Sequence, residues 1–188
     1  MIKVLFLAYP LYADFEIGHA LFFLRKLGKA TVTTATIDGE AVESLGGLVT
    51  QAQVAISNTN PNDYDLFLIS GGDGVAQILD NIQIQELIKG FNALKKPIAA
   101  ICASSTLLGK AGLLLGKKFT CTPNTYETFK DVFDGAEYTG NRIEVVDNII
   151  TAKGTAFPEF TLAVMDQLGL WKDEEQREGA LKFCKGEV

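Results

Sequence analysis

Short apolar runs alternate with helical patterns along almost the whole chain, and this alternation constrains the fold more than any other feature. The apolar runs have the length of strands and include residues 2–8, 66–69 and 98–101. Between them, segments such as 16–27 and 82–94 repeat apolar residues at helical spacing. Uniformly apolar strands separated by helices predict a mostly parallel sheet with helices on both faces. The expected fold class is therefore α/β, a three-layer sandwich.

The remaining elements continue this pattern, and Asp14 is the predicted N-cap of the first helix. Further predicted elements are strands 30–36, 118–120, 143–146 and 149–152, a small hairpin around Gly46 and Gly47, and a core helix over 155–168. The charged residues 173–188 predict a surface helix or a frayed tail. No repeat or linker interrupts the pattern, so residues 1–188 are expected to form one domain.

Composition excludes several classes of partner. The net charge is −6 and there is no basic run, which argues against nucleic acid as a ligand. No apolar run reaches the length of a membrane span. The apolar N-terminal run is short and has no small-residue cleavage pattern after it, so it predicts a first strand rather than a signal peptide.

The cysteines and the histidine limit the possible chemistry. Cys102, Cys121 and Cys184 are an odd number with no Cys-x-x-Cys pair, which is typical of free thiols in a reducing cytoplasm. With a single histidine, a zinc site made of Cys and His has too few clustered ligands. We therefore expect no metal site.

The segment around Cys102 predicts a nucleophile elbow. The strand at residues 98–101 stops at Cys102, small residues follow, and a helical pattern then begins. In such an elbow a strained turn exposes the side chain, and backbone N–H groups of the next helix point toward it. Those donors and the helix dipole would favour a thiolate. The alternative is that Cys102 is a small buried core residue.

The glycine-rich loop at residues 70–74 is predicted to lie near this elbow, because both follow strands at the carboxyl edge of the sheet. The loop matches neither the dinucleotide nor the Walker phosphate-binding pattern. Its glycines allow main-chain N–H groups to approach a reacting oxygen, so Gly72 and Ala103 are candidate oxyanion donors. The alternative is a tight turn without a ligand.

Glu16 lies at the start of the first helix, just past the end of the first strand. A carboxylate there is sufficiently explained by the helix dipole. If the elbow is correct, Glu16 would share a crevice with Cys102 and act as its acid/base partner, with a pKa raised by the thiolate.

These motifs together resemble the ThiJ/PfpI superfamily, over nearly the whole chain. The resemblance rests on the Gly71-Gly72 loop, the Cys102 elbow, the early Glu16 and the segment 154–160. It implies a flavodoxin-like sandwich, usually a homodimer, with an oxidation-sensitive cysteine hydrogen-bonded to a protonated glutamate. By position these two residues are Cys102 and Glu16, with Gly72 and Ala103 as the oxyanion donors.

The chain departs from the family at its histidines. Protease-like members have a histidine directly after the cysteine, where this chain has Ala103. Deglycase-like members have one on a later loop, where the matching position is Thr122. The only histidine, His19, lies one helical turn after Glu16, as a solvated residue or at a dimer contact. Hydrolysis of peptides or amides is therefore the least favoured activity.

Three functions remain open at this point, and the ligand is a small-molecule electrophile or an oxidant. The favoured one is a cofactor-free, glyoxalase- or deglycase-like reaction on small reactive carbonyls. The second is an oxidative-stress sensor that acts through oxidation of Cys102. The third is a cysteine hydrolase or amidase. Thr122, Asn124 and Tyr12 are candidate substrate anchors, and the expected location is the cytoplasm.

Overall fold

A computed structural model of the chain describes residues 1–187. The strands are β1 (Lys3–Leu7), β2 (Thr31–Thr36), β3 (Val42–Glu43), β4 (Val49–Thr50), β5 (Val54–Ala55), β6 (Leu66–Ile69), β7 (Ile98–Ile101), β8 (Lys118–Phe119), β9 (Glu137–Tyr138), β10 (Ile143–Val146) and β11 (Ile149–Ala152). The helices are α1 (Asp14–Lys26), α2 (Val75–Ile78), α3 (Ile82–Ala93), α4 (Ser105–Lys110), α5 (Pro123–Thr128), α6 (Phe157–Gln167) and α7 (Glu174–Lys185).

A seven-stranded sheet forms the centre of the fold, in the order β10-β11-β7-β6-β1-β2-β5. All neighbours are parallel except β10, which pairs antiparallel with β11. The mostly parallel α/β sheet flanked by helices is confirmed. The predicted hairpin around Gly46 and Gly47 is present as β3 and β4, and the predicted strands 143–146 and 149–152 form the antiparallel pair β10 and β11.

The register of the sheet brings four loops to one edge. Leu7 is paired with Ile69, Ile69 with Ala100, and Ala152 with Ile101. Because parallel strands run in the same direction, the loops that follow β1, β6, β7 and β11 all leave from the carboxyl edge. The carboxyl edge is the side of the sheet at which the parallel strands end, and its loops carry the candidate site.

Apolar burial on both faces of the sheet explains why the strands lack polar alternation. The strands β6 and β7 are buried along their entire length. Helix α1 packs against α6, and α3 packs against α4. Each fully buried leucine or isoleucine contributes about 1.5–3 kcal/mol relative to an exposed one.

The first helix begins earlier than predicted, and the predicted N-cap is wrong. Ala13 is the N-cap residue, and Asp14 is already the first residue of α1. Its carboxylate instead accepts a hydrogen bond from the Gly46 N–H at 2.9 Å and another from the Ser44 hydroxyl. Asp14 therefore ties the β3–β4 hairpin to the start of α1.

The last helices are close to the prediction but differ in detail. A single 3-10 turn at Gly154–Ala156 precedes α6, and Pro158 lies in the first turn of α6 as expected. Residues 173–187 contain α7, where Asp173 caps the helix by accepting a hydrogen bond from the Gln176 N–H at 2.8 Å. Residue 188, the end of the predicted surface helix or tail, lies outside the described residues.

Candidate active site at the carboxyl edge

Cys102 lies on a sharp turn between β7 and α4. Its φ angle is 58°, in the left-handed region, which costs a non-glycine residue about 1–2 kcal/mol. A 3-10 turn at Cys102–Ser104 leads directly into α4. The Ser104 hydroxyl holds this turn by donating to the carbonyl oxygens of Ile101 at 2.8 Å and Ile69 at 3.1 Å. The chain therefore forms the strained strand–turn–helix geometry of a nucleophile elbow.

Glu16 is buried in the first turn of α1, with only 3% of its surface exposed. Its carboxyl group accepts a hydrogen bond from the Gly71 N–H at 2.8 Å and shares a second hydrogen bond with the Cys102 thiol. The structure thus brings together two residues that are 86 positions apart in the sequence.

Gly71 and Gly154 lack a side chain where the Glu16 carboxyl group and the Cys102 side chain lie. A Cβ atom on Gly71 would lie 2.6 Å from a Glu16 carboxyl oxygen and 2.6 Å from the Cys102 Cβ. On Gly154 it would lie 2.6 Å from the other carboxyl oxygen and 3.1 Å from the Cys102 Sγ. Sequence analysis placed Gly154 before the last core helix but gave it no role. Its position directly after the β11 strand region was the signal available.

Thr122 contacts the sulfur of Cys102 directly. Its Oγ1 lies 3.1 Å from the Cys102 Sγ and accepts a hydrogen bond from the Gly154 N–H at 3.2 Å. Since its oxygen already accepts from Gly154, the Thr122 hydroxyl hydrogen is available for the sulfur. The residue predicted as a possible substrate anchor is therefore in position to stabilise the Cys102 thiolate.

The electrostatics of the pair differ from the sequence expectation. Burial raises the pKa of Glu16 to about 7, although hydrogen bonds from Cys102 and Gly71 act to lower it. Burial and then the charge of Glu16 raise the pKa of Cys102 to about 12, against the lowering effect of Thr122 and the Ala103 N–H. The elbow alone therefore does not favour a thiolate, and burial is the main cause of the Glu16 shift.

Burial is the largest cause of both shifts, and the charge of Glu16 further raises the pKa of Cys102, so the pair does not hold two anions at neutral pH. The pair therefore retains at least one shared proton. The arrangement is a proton-sharing thiol–carboxyl pair rather than a permanently ionised cysteine.

Gly72 and Ala103 line the same cavity as Cys102. Gly72 has a φ angle of 136°, and a Cβ atom there would lie 2.3 Å from the Leu11 carbonyl oxygen. Only glycine fits this turn. The Ala103 N–H acts to lower the pKa of the Cys102 thiol. Their role as oxyanion donors stays a prediction.

Tyr12 does not have the position expected of a substrate anchor. It is buried, its hydroxyl is hydrogen-bonded to the Thr50 hydroxyl at 2.6 Å, and it does not line the cavity. Its backbone instead forms an isolated bridge with Gly72. Tyr12 therefore contacts the glycine loop through its backbone and not through its side chain. Asn124, in contrast, lines the cavity.

The cavity around Cys102 has a volume of about 290 Å³, which suits a small molecule. Its lining residues are Ala13, Phe15, Glu16, Leu45, Gly72, Asp73, Cys102, Ala103, Thr122, Asn124 and Thr125. Leu45 comes from the β3–β4 hairpin that Asp14 holds in place. Sequence analysis missed Leu45, Phe15, Asp73 and Thr125, because nothing local connects them with the elbow.

The remaining cysteines and the histidine lie outside this cavity. Cys121 is buried beside Thr122, and burial raises its pKa to about 12. The His19 ring packs against Phe157 with 5.4 Å between ring centroids, and its Nδ1 atom is buried without a hydrogen-bond partner in the described structure. Across residues 1–187, no group of three or more His, Cys, Asp or Glu side chains is placed to hold a metal ion.

The fold and the elbow site define a class of α/β proteins built around a cysteine at the carboxyl edge of a parallel sheet. The sequence model of the DJ-1/PfpI family matches residues 2–167, and the chain belongs to this family. An uncharacterized protein of Methanocaldococcus jannaschii is 35% identical over 155 residues, which cover 80% of this chain and 74% of the relative.

Two further comparisons concern activity and fold. A glutathione-independent glyoxalase of Caenorhabditis elegans is 30% identical over 145 residues, which cover 75% of each chain. The crystal structure of a DJ-1 superfamily protein from Agrobacterium tumefaciens has a TM-score of 0.87 at 24% identity, covering 100% of this chain and 99% of the other. Relatives of this chain thus include a named glyoxalase, and the structural match establishes the fold.

A search of the described helices for membrane spans finds none with the length and apolarity needed to cross a bilayer.

Proposed function

We propose that the protein converts small reactive carbonyl compounds, as a glyoxalase- or deglycase-like enzyme, through Cys102 and Glu16 without a cofactor. The observation that supports this most is the buried Glu16 carboxyl beside the Cys102 thiol, with its pKa raised to about 7. A group that is half protonated near neutral pH both accepts and donates protons efficiently. The glyoxalase-named relative supports the same reaction class.

In the proposed reaction, a 2-oxoaldehyde and one water molecule are converted to a 2-hydroxy acid. Glu16 takes the thiol proton as the sulfur of Cys102 attacks the aldehyde carbon, and the developing oxyanion faces the Gly72 and Ala103 N–H groups. Glu16 returns the proton to that oxygen to give a hemithioacetal and is again a carboxylate. Glu16 then moves the proton from the former aldehyde carbon to the neighbouring carbon, which gives a thioester. Water hydrolyses the thioester, so the net reaction is 2-oxoaldehyde plus water to 2-hydroxy acid.

The test uses purified protein with methylglyoxal and measures lactate, beside Cys102→Ser and Glu16→Gln. We expect wild-type turnover, and its loss in both variants with native circular dichroism retained. Glu159→Gln is the matched control, because it removes a carboxylate outside the cavity. Turnover that survives in Cys102→Ser, or no wild-type turnover at all, would contradict the proposal.

A specific observation also favours the second function, a sensor of oxidants. The Cys102 sulfur has hydrogen bonds with the Thr122 hydroxyl, the Ala103 N–H and Glu16, and these groups would stabilise a sulfinate. Stepwise peroxide followed by intact mass distinguishes the two functions. Addition of two oxygens at Cys102 without any lactate formation would favour the sensor.

The hydrolase function remains the least favoured. Among residues 1–187, no histidine lines the Cys102 cavity, because His19 lies among aromatic side chains instead. A cysteine without a nearby imidazole lacks the general acid that protonates an amine leaving group. Release of ammonia or amine from simple amides is therefore expected to be absent.

We also propose a homodimer that acts in the cytoplasm. Phe15, Phe22 and Phe183 are 59%, 40% and 47% exposed, and they are linked through Phe157 and His19 into one aromatic face on α1 and α7. A second copy would cover this face. Sedimentation of wild type and Phe22→Glu tests this, with a monomeric wild type as the contradicting result.

A further inference from the structure

Asp73 lines the Cys102 cavity but has no part in the reaction proposed above. It follows Gly72 directly, its side chain is exposed, and it shares the cavity wall with Cys102 and Asn124. Within residues 1–187 it forms no salt bridge. A carboxylate that lines a cavity and has no cationic partner attracts positively charged ligands and repels negatively charged ones.

The rest of the wall does not offset this negative charge. In the described part of the chain, no lysine, arginine or histidine lines the cavity, and its second acid is Glu16. Lys153, next to Gly154, lies outside the lining and acts on the Cys121 thiol, whose pKa it lowers.

We propose that Asp73 makes the cavity charge-selective, so that it admits neutral and cationic electrophiles and opposes anionic ones such as 2-oxo acids. The cavity is small enough that a bound ligand lies within about 10 Å of Asp73, the distance over which exposed charges interact at ordinary ionic strength. As a statement about substrates, this inference rests on the proposed carbonyl chemistry. The access of charged molecules to Cys102, by contrast, depends on the cavity alone and can be measured without any enzymatic turnover.

The same charge has a consequence for product release. A neutral 2-oxoaldehyde becomes a 2-hydroxy carboxylate, so the product carries a negative charge that the substrate lacks. Asp73 repels that product and does not repel the substrate. Asp73→Asn is therefore expected to strengthen inhibition by lactate while the KM for methylglyoxal changes little.

The deciding experiment measures alkylation of Cys102, because it requires no turnover. Neutral iodoacetamide and anionic iodoacetate both place a carbon on the sulfur and release iodide, and peptide mass spectrometry follows each rate at Cys102. The ratio of the two rates cancels any change in thiol ionisation. In Asp73→Asn the ratio of iodoacetate to iodoacetamide rates should rise roughly threefold to tenfold.

Two controls complete the design. Glu86→Gln removes the same charge from an exposed position on α3 and should leave the ratio unchanged. Asp73→Glu should keep the wild-type ratio. The proposal is overturned by an unchanged ratio in Asp73→Asn, by an equal rise in Glu86→Gln, or by a Cys102 that neither reagent alkylates. A raised ratio without lactate formation would sink the proposed reaction and leave the charge selection intact.

Discussion

The two edges of the central sheet carry cavities of very different character. At the carboxyl edge, about 290 Å³ surrounds Cys102 and the buried Glu16. At the opposite edge, about 600 Å³ lies among six polar residues, namely Asn92, Lys95, Lys117, Asp147, Asn148 and Gln167. Within residues 1–187, the lining of the larger cavity contains no buried acid and no cysteine.

The comparison shows that neither the volume of a cavity nor a left-handed backbone angle identifies a functional site. The burial of the residues concerned has to be considered as well. Lys95 and Asp147 at the opposite edge have φ angles of 54° and 56°, close to the 58° of Cys102. Both residues are exposed at the surface. At Cys102 the same backbone conformation is enclosed with a carboxyl group, so the strain positions a reactive atom.

The buried acid predicts the largest difference between the edges. The pKa of Glu16 is raised from 4.5 to about 7, so its contribution to stability is full below pH 4.5 and is lost as the pH rises through 7. Urea unfolding should show a loss of about 2–3 kcal/mol from this group between pH 5 and 8. Glu16→Gln should remove that loss.

Glu159 is the matched control for this pH dependence. Burial acts to raise the pKa of Glu159, but hydrogen bonds from Arg142 hold it below its usual value. Its contribution is therefore present above the unfolded pKa and is lost only in acid, so Glu159→Gln should keep the wild-type slope between pH 5 and 8. Equal slopes in wild type and Glu16→Gln would show that Glu16 is not protonated in the folded state.

Crowding at the carboxyl edge gives the next prediction. In Gly154→Ala the new methyl group would meet a Glu16 carboxyl oxygen at 2.6 Å and the Cys102 Sγ at 3.1 Å. We expect roughly a hundredfold loss of kcat/KM for methylglyoxal, about 2.7 kcal/mol of barrier.

Gly18→Ala is the control, since no atom lies within 4 Å of the added methyl on α1. It should retain activity and gain up to about 1 kcal/mol in the free energy of unfolding. A Gly154→Ala enzyme with full activity would mean that the Glu16–Cys102 geometry is not required.

The strain at the elbow can be measured by comparing two substitutions. Cys102→Ala keeps a Cβ atom at a φ angle of 58°, whereas Cys102→Gly removes it. Because glycine adopts this conformation freely, the free energy of unfolding of Cys102→Gly should be about 1 kcal/mol higher than that of Cys102→Ala. If Cys102→Ala proves at least as stable in urea titrations, the elbow stores no measurable strain.

The smallest effect is expected at the opposite edge. Lys117 pairs with Asp147 there, and the Asp147 side chain is 64% exposed. Exposed ion pairs contribute about 0–1 kcal/mol, so Lys117→Ala should change stability by less than about 1 kcal/mol. Methylglyoxal turnover should stay at the wild-type rate, and a change in turnover would show that this larger cavity communicates with Cys102.

Much of the fold follows from the sequence because apolar strands and helical spacing are local signals. The strands at 66–69 and 98–101 lie where the sequence predicts them, since each is buried on both faces. The pairing of β8 with β9 and the short α2 were missed. Two-residue strands and one-turn helices depend on tertiary contacts rather than on periodicity.

The site was only partly predictable, for a related reason. Cys102, Gly72 and Glu16 follow strand ends, and parallel strands bring such positions together. The contact of Thr122 with the sulfur depends on the path of a loop, and the pKa of Cys102 depends first on its burial and then on the charge of Glu16. Neither quantity is encoded by residue spacing. Asp14 departs from its expected cap for the same reason, because the β3–β4 hairpin supplies better donors.

The order of the site residues along the chain has a consequence for biosynthesis. Glu16, Gly71 and Cys102 leave the ribosome well before Gly154, and chains are made from the N-terminus. Until β11 has been made, β7 is an unpaired edge, and the Thr122 hydroxyl lacks the Gly154 N–H. In a nascent chain the candidate site is therefore incomplete until β11 and Gly154 have been added.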